Sequence, residues 1–282
     1  MSIDCIVLDL DGTFTDVTQE AAAFSEAYPV LLGDLLGRDL GAHWEALVTE
    51  TRARSSELGW QFGGHIVAPA DADPYILATC AAQLLLDKEG VLTRDLTLRA
   101  EVLTAVYRRA YRHTGASFRP EAKRVLEAVL ARGLPVYFVT NAATDAAVDK
   151  LGKLAPEGFG RLQIRGDARK FHVAAPAESD ARFDALPRER HVAGLARPVM
   201  LGRGRYFEAL AAIWKETGAR PETTLVCGDI WELDLAMPAA LGAHVHLIAR
   251  EHTYAYEIDE MSALGERGGF SKDLHGLLTR LG

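Results

Sequence analysis

The chain has 282 residues, of which 49% are hydrophobic and 25% are charged, so it can bury one or two domain cores. Its formal net charge of -8 argues against a general nucleic-acid binder and against a protein that binds anionic membranes. The cysteines Cys5, Cys80 and Cys227 lack metal-ligand spacing, and no apolar run is long enough to cross a bilayer. We therefore expect a cytoplasmic protein with reduced thiols and with no nucleic-acid or membrane partner.

Five short apolar runs predict buried strands. A continuous apolar run suits a strand that is covered on both faces, as in a parallel sheet. The third run is weaker than the others because Gln163 interrupts it. In chain order, the predicted strands are Cys5–Leu8, Val136–Val139, Leu162–Ile164, Leu225–Cys227 and His244–Ile248.

Helical patterns lie between the later strands and end at typical stop signals. Pro120–Arg132 has a proline near its start and Gly133 just past its end, and Tyr206–Thr217 stops at Gly218. Lys272–Leu281 is predicted to form a short amphipathic helix. Strands that alternate with helices indicate an α/β fold with a doubly wound, Rossmann-like parallel sheet.

Residues 17–116 break this alternation and are predicted to be mainly helical. The candidate helices are Gly41–Leu58, Pro74–Asp87 and Thr93–His113, and a stretch with Gly and Pro at 59–73 separates the first two. We expect two domains, a Rossmann-like core at 1–16 and 117–282 and a smaller helical domain at 17–116. Within the core, residues 171–200 contain three prolines and little periodicity, which predicts a loop-rich excursion.

The residues directly after the first predicted strand have the pattern of a catalytic loop. In an open α/β sheet, ligands bind outside the carboxyl ends of the strands. Asp9 and Asp11 are two positions apart in extended chain, so both carboxylates are expected to face one site. Two such carboxylates resist double ionisation, and the ionised one can attack while the protonated one donates. Gly12 and Thr13 offer backbone N–H groups and a hydroxyl; the alternative is an ordinary Asp-Gly turn.

Two other strand ends bring polar residues to the same edge of the sheet. Thr140 and Asn141 can hold phosphate oxygens, although such a pair is as often a helix cap or a turn. Asp229 and Asp234 suit Mg²⁺, with Asp9 and a backbone carbonyl near Asp11 as further ligands. The alternative for Asp234 is that it begins a helix, where the helix dipole favours a carboxylate.

These motifs resemble those of the haloacid dehalogenase superfamily, in its phosphatase branch with a helical cap. The first motif is matched by Asp9-Leu10-Asp11-Gly12-Thr13, the second by Thr140, and the fourth by Gly228–Asp234, in the same order and strand contexts. The resemblance covers 1–16 and 117–282, and the insert at 17–116 falls where that family has its cap, between the first and second motifs.

The resemblance implies a role for each matched residue. Asp9 would attack phosphorus, and Asp11 would protonate the leaving group and later activate water. Thr140 and a basic residue would bind the phosphoryl oxygens. Mg²⁺ would be held by Asp9, Asp229 and Asp234.

The third motif is where the sequence departs from the family, because its usual Lys-Pro pair is missing. Lys170 follows the weaker strand at about the right distance after Thr140, whereas Arg203 directly precedes the next helix. We favour Lys170, because a flexible ammonium suits a point contact to phosphate. A solvent-exposed surface lysine is the alternative.

The sequence therefore predicts a magnesium-dependent phosphomonoesterase for a small phosphorylated metabolite. A phosphoryl-transferring mutase, a dehalogenase and a non-catalytic phosphate-binding module remain alternatives. A phosphonatase would need an imine-forming lysine in the insert, where Lys88 is the only one. His244 and His246 are interpreted as packing residues rather than as a metal pair. The substrate and the oligomeric state are left open.

Overall fold

The protein forms two compact units in a computed structural model that describes residues 2–112 and 114–282. The first unit comprises Met1–Asp16, Phe118–Gly194 and Pro198–Gly282. The second comprises Val17–Ser117 together with the short segment Leu195–Arg197.

The strands fall into one six-stranded sheet and two small hairpins. In chain order they are β1 (Cys5–Leu8), β2 (Gly59–Phe62), β3 (His65–Pro69), β4 (Val136–Val139), β5 (Leu162–Arg165), β6 (Glu189–Arg190), β7 (Val199–Met200), β8 (Thr224–Gly228), β9 (His244–Ile248) and β10 (Gly268–Ser271).

Twelve α-helices occur within the part of the chain that the structure describes, and none of them is long and apolar enough to cross a bilayer. They are α1 (Val17–Glu20), α2 (Ala22–Leu36), α3 (Gly41–Ala53), α4 (Pro74–Glu89), α5 (Leu96–Tyr111), α6 (Ala122–Leu130), α7 (Thr144–Leu154), α8 (Ala181–Asp184), α9 (Gly204–Thr217), α10 (Ala236–Ala240), α11 (Ala255–Ala263) and α12 (His275–Leu281).

The first unit is built on a parallel sheet with the strand order β10-β9-β8-β1-β4-β5. The chain moves outward from β1 to β4 and β5, and then returns to the other side of β1 with β8. Strand order therefore reverses at β1, and a ligand crevice is expected at the carboxyl ends of β1, β4 and β8. The predicted α/β fold with a doubly wound parallel sheet is confirmed.

Apolar packing on the sheet holds these strand ends in register. Helix α6 buries Val125, Leu126 and Val129 on one face, because these residues recur at helical spacing. They belong to one cluster with the sheet residues Leu8 and Phe138. Burial of each such side chain contributes roughly 1.5–3 kcal/mol, so the sheet draws its stability from this apolar layer rather than from polar groups at its edge.

Most predicted elements of the first unit coincide with those in the structure. Strands β1, β4 and β9 have the predicted bounds, and β5 and β8 extend by one or two residues. Strand β10 was not predicted, because Gly268-Gly269-Phe270-Ser271 contains one large apolar residue. The excursion at 171–200 is mainly loop, as predicted, but it also contains α8 and the short hairpin of β6 and β7.

The second unit consists of helices α1–α5 and the β2–β3 hairpin. Its core of leucine and alanine side chains includes a group of aromatic rings. Phe24 packs against Tyr28, Tyr75 and Tyr107, with ring centroids 4.8–5.2 Å apart. Ala196 of the excursion joins this unit through a 3.1 Å hydrogen bond from its N–H to the Ser56 carbonyl.

Three predictions for this unit need correction. The stretch at 59–73 was expected to be a separator, yet it forms the β2–β3 hairpin. The helix predicted at Gly41–Leu58 ends at Ala53, and helix α2 was not predicted because Pro29 lies inside it. The helix predicted at Thr93–His113 begins at Leu96, after Asp95 caps its N-terminus, and His113 lies outside the described residues.

His246 of β9 gives the first unit a pH-dependent stability. Its side chain is 3% exposed, and its Nε2 lies 2.8 Å from the Ser271 hydroxyl. Burial, assisted by the charge of Arg280, lowers the pKa of His246 to about 4. The pKa is about 6.5 when the chain is unfolded, so the protonated ring favours the unfolded chain. Stability from this group is full above about pH 6.5 and is lost as the pH falls toward 4.

We predict that the His246→Gln variant loses less stability between pH 7 and pH 4.5 than the wild type, by about 2 kcal/mol. Chemical denaturation at both pH values measures this difference. The exposed His191 offers a matched control, and His191→Gln should retain the wild-type pH dependence. Identical pH dependence in the His246→Gln variant would contradict the prediction.

Candidate active site

Three strand ends of the first unit deliver polar side chains to one crevice. Asp9 follows β1, Thr140 follows β4 and Asp229 follows β8. The Asp9 N–H donates to the Cys227 carbonyl at 2.8 Å, so the β1–β8 pairing continues up to the first aspartate. The sheet register therefore fixes the backbone on which the site is built.

Three buried carboxylates lie together at this crevice. Asp9, Asp229 and Asp234 are 8%, 1% and 4% exposed, and each offers an oxygen within 4.8 Å of the others. The Thr13 hydroxyl lies between two of them, 2.9 Å from Asp9 Oδ2 and 3.2 Å from Asp229 Oδ1. Such a set of carboxylate oxygens is the donor set that hard divalent cations prefer, so these residues fit a Mg²⁺ site.

Lys170 supplies a positive charge to this group. Its Nζ donates to Asp9 Oδ1 at 2.7 Å and to Asp234 Oδ1 at 2.8 Å, and its side chain is 1% exposed. The ammonium also lies 5.3 Å from the centroid of the Tyr206 ring. The predicted basic residue is thus in contact with the predicted nucleophile.

Arg203, the second candidate for the basic residue, hydrogen-bonds to the backbone of the Lys170 loop. Its guanidinium is fully buried and donates to the Lys170 carbonyl and, at 2.9 Å, to the Met200 carbonyl. Asn141 holds the same loop, because its side-chain oxygen accepts the Lys170 N–H at 2.7 Å. The role of Asn141 as a phosphate ligand stays a prediction, and its side-chain carbonyl oxygen holds the lysine loop.

Burial controls the ionisation of the group. It raises the pKa of Asp9, while the ammonium of Lys170 opposes that shift and the charges of Asp234 and Asp11 add to it. Burial alone would lower the pKa of Lys170, but the carboxylates of Asp234 and Asp9 outweigh it and raise this pKa. Lys170 therefore stays charged, and the carboxylates compete for its single positive charge.

Asp11 belongs to a second set of contacts. Its Oδ1 accepts from Lys150 Nζ at 2.6 Å, and its Oδ2 accepts from the Thr140 hydroxyl at 3.3 Å. The Asp11 side chain is 33% exposed, whereas that of Asp9 is 10% exposed. Lys150 lies on α7 and was not predicted, because a lysine on an amphipathic helix is usually a surface residue.

Gly12 allows the two aspartate loops to approach each other. Its φ is +87°, and a Cβ added there would lie 2.4 Å from Asp229 Oδ2. The Gly12 carbonyl accepts from Arg119 Nη2 at 2.9 Å, another contact that the sequence did not reveal. A side chain at position 12 would therefore collide with the Asp229 carboxylate.

The fourth motif leads into α10 through a turn of π-helix rather than through an ordinary first turn of α-helix. Residues Trp231–Leu235 form one turn of π-helix, and the Asp234 carboxylate accepts the Ile230 N–H at 3.0 Å. The Tyr206 hydroxyl donates to the Asp234 carbonyl at 2.9 Å. The Asp234 side chain thus closes its own loop and at the same time contacts Lys170. Single turns of π-helix are frequent at functional sites.

A family model for haloacid dehalogenase-like hydrolases matches residues 3–242. The chain belongs to this family of hydrolases, and the predicted resemblance is confirmed. No curated protein matches the chain by sequence.

Solved structures give the same fold at low sequence identity. A predicted phosphoglycolate phosphatase from Haemophilus somnus has a TM-score of 0.56 and 16% identity, over 100% of this chain and 99% of that one. A haloacid dehalogenase-like hydrolase from Streptococcus pneumoniae has a TM-score of 0.54 and 17% identity, over 99% of both. YfnB of Bacillus subtilis, solved bound to magnesium, has a TM-score of 0.50 and 16% identity, over 98% and 97%.

We predict that Gly12→Ala destabilises the first unit by about 2–4 kcal/mol. About 1 kcal/mol comes from the positive φ, and the rest comes from the collision with Asp229. Gly218 is the matched control, because its φ is +72° and an added Cβ would meet nothing within 4 Å. Chemical denaturation should give a loss of about 1 kcal/mol for Gly218→Ala. Equal losses in the two variants would show that the close approach at Gly12 has no energetic effect.

Proposed function

We propose that this hydrolase is a magnesium-dependent phosphomonoesterase, which acts on a small phosphorylated metabolite through an aspartyl-phosphate at Asp9. One observation carries the proposal: the buried Asp9 carboxylate lies 2.7 Å from a lysine ammonium and within 4.8 Å of two further carboxylates. Phosphoryl transfer needs a nucleophile with fixed positive charge around the transferred group, and this arrangement supports both.

Asp9 is the proposed nucleophile. Its Oδ2 accepts from Thr13 and its Oδ1 from Lys170, so the carboxylate is fixed before substrate binds. A held carboxylate avoids reorganisation when it attacks phosphorus. Lys170 then faces the phosphoryl oxygens and offsets their charge, and Thr13 offers a backbone N–H to the same oxygens. The Gly12 N–H, which the sequence suggested as a further donor, instead donates to Thr15 Oγ1 at 3.0 Å.

Asp11 is the proposed acid and base. In the first half of the reaction it gives a proton to the leaving oxygen, and in the second half it takes a proton from the water that attacks the aspartyl-phosphate. Its partial exposure and its contact with the Thr140 hydroxyl suit a group that exchanges protons. Thr140 is proposed to bind a phosphoryl oxygen through its hydroxyl, together with the side-chain amide of Asn141.

The proposed cofactor is Mg²⁺. Asp9, Asp229 and Asp234 would hold it, with the Asp11 backbone carbonyl as a further oxygen ligand. When bound, the cation supplies positive charge next to the transferred phosphoryl group. The magnesium in the similar structure of YfnB supports this choice of metal.

The second unit is the proposed cap domain, at residues 17–116, and the core occupies 1–16 and 117–282. The insert leaves the first unit six residues after Asp11 and returns before β4, between the first and second motifs. Lys88 pairs with Glu50, which gives this lysine the environment of a surface residue rather than of an imine-forming one. A phosphonatase is therefore disfavoured, and a phosphorylated small molecule remains the proposed substrate.

We predict that the wild type releases phosphate from at least one member of a panel of phosphorylated metabolites, only when Mg²⁺ is present. Asp9→Asn should release less than about a thousandth as much, because the amide cannot attack phosphorus. Asp259→Asn, at an exposed position of α11, is the matched control and should keep the wild-type rate. Phosphate release by Asp9→Asn at the wild-type rate would refute the proposed nucleophile.

The same panel separates the alternatives. Phosphoryl transfer between sugars without net phosphate release would indicate a mutase. Halide release from a haloacid would indicate a dehalogenase. A rise in melting temperature with Mg²⁺ but no turnover would indicate a non-catalytic phosphate-binding module.

We predict that Lys150→Met lowers kcat by about tenfold to a hundredfold, because Asp11 loses the ammonium that orients its carboxylate. Lys153 is exposed on the same helix, and Lys153→Met should leave kcat unchanged. Lys150→Arg should recover part of the loss. Steady-state kinetics on the best substrate of the panel measures all three variants, and an unchanged kcat for Lys150→Met would exclude this role.

A further inference from the structure

The loop of residues 229–235 must hold two carboxylates, those of Asp229 and Asp234, close to that of Asp9. Like charges in a buried place repel each other, so this loop would move outward unless other contacts fixed its backbone. The contacts that hold the backbone of this loop come from residues 250–257, which follow β9 and include the first turn of α11.

A buried ion pair between Arg250 and Glu257 holds the backbone at the start of the loop. Arg250 Nη2 donates to Glu257 Oε2 at 2.7 Å, and the two side chains are 7% and 0% exposed. The Arg250 guanidinium also donates to the Asp229 carbonyl. Glu257 Oε1 accepts the Trp231 N–H at 3.1 Å. One pair of charges therefore holds a backbone acceptor and a backbone donor that lie two residues apart in the loop.

The middle of the loop is held by the same segment. The Tyr256 hydroxyl donates to Glu232 Oε1 at 2.7 Å, and Glu232 is fully buried. The Trp231 and Tyr256 rings pack edge to face, with centroids 6.3 Å apart. Glu257 also accepts the Tyr254 N–H at 3.0 Å, a hydrogen bond within residues 250–257 themselves. Hydrogen bonds therefore hold the backbone on both sides of this contact.

We propose that Arg250 and Glu257 are positioning residues of the cation site, which fix the backbone at 229–231 so that Asp229 and Asp234 remain aimed at Asp9. The inference rests on the proposed function only in taking a divalent cation as the occupant of the carboxylates.

The chemistry of the pair favours a positioning role over a purely structural one. The attraction within a buried ion pair is often replaceable by apolar packing at no loss of stability, so the attraction between these two charges does not by itself explain their presence. A carbonyl oxygen and an N–H group of a loop, however, can be held only by polar partners. Partners behind metal ligands typically change metal affinity by about 10–100-fold when they are removed.

The test compares magnesium affinity among full-length variants by isothermal titration calorimetry, with MgCl₂ as the titrant. The paired variant Arg250→Met with Glu257→Leu removes both charges and keeps apolar volume, so no buried charge is left unpaired and the protein should still fold. Its melting temperature should fall, because the Asp229 carbonyl and the Trp231 and Tyr254 N–H groups lose their partners. We expect its Kd for Mg²⁺ to rise about 10–100-fold. The single variant Glu257→Gln should also weaken binding, because Arg250 loses its anion.

A matched control comes from the second unit. Arg99 is another buried arginine, with a side chain 5% exposed that donates to Asp87 and to Gln61. Arg99→Met should lower the melting temperature and leave the Kd for Mg²⁺ within about twofold of the wild type. Unchanged magnesium affinity in a folded paired variant would overturn the inference, as would equal weakening in Arg99→Met.

The two proposals fail in different ways. A wild type that releases no phosphate, but whose variants show the expected order of magnesium affinities, overturns the phosphomonoesterase proposal and supports the role of Arg250 and Glu257. A wild type that hydrolyses phosphate esters with Mg²⁺, but whose paired variant binds Mg²⁺ normally, does the reverse. A wild type that binds no Mg²⁺ overturns both.

Discussion

Repulsion among three buried carboxylates is the constraint on which the site depends. Asp9, Asp229 and Asp234 have oxygens within 4.8 Å of one another, and Lys170 contributes one positive charge to the group. A group of this composition retains negative charge in a place that solvates charge poorly, so it favours a further cation. Burial raises the pKa of Asp9 and the charges of Asp234 and Asp11 add to that shift, while the carboxylates of Asp234 and Asp9 raise the pKa of Lys170.

Apolar contacts stabilise the sheet, and polar contacts fix the loops that carry the charged residues of the site. The apolar layer around Leu8, Phe138 and the helix α6 gives the sheet its stability, and it contains no group of the site. The strand ends can therefore carry mutually repelling residues without unfolding the sheet. Polar contacts then fix each loop: Arg203 and Asn141 hold the Lys170 loop, and Arg119 holds the carbonyl of Gly12.

The sequence predicted the residues that lie directly at strand ends. Asp9, Asp11 and Asp229 each follow a continuous apolar run, so sheet topology alone brings them to one edge. It did not predict Lys150 or the Arg250–Glu257 pair. Lys150 lies on a helix whose pattern is that of an ordinary surface helix, and a charged residue on such a face gives no sign of its partner. In the second unit, the β2–β3 hairpin was missed because the Gly and Pro residues of 59–73 were interpreted as a separator. Two of these glycines, Gly63 and Gly64, have positive φ and form the turn of the hairpin.

The residues that were predicted and those that were missed act on different atoms. A motif records the side chains that contact the reacting group, because their chemistry restricts the residue type and the spacing. Residues such as Arg203 and Glu257 act on backbone atoms of other segments, 33 and 26 positions away in the chain, so no local pattern joins them to the site. The class of reaction can thus be inferred from a short motif. The positions of the site residues depend on charged side chains that are distant in the sequence and that only the fold brings together. For the proposed phosphomonoesterase, the same division extends to substrate choice, because its motif residues act on the phosphoryl group that all substrates of such an enzyme share.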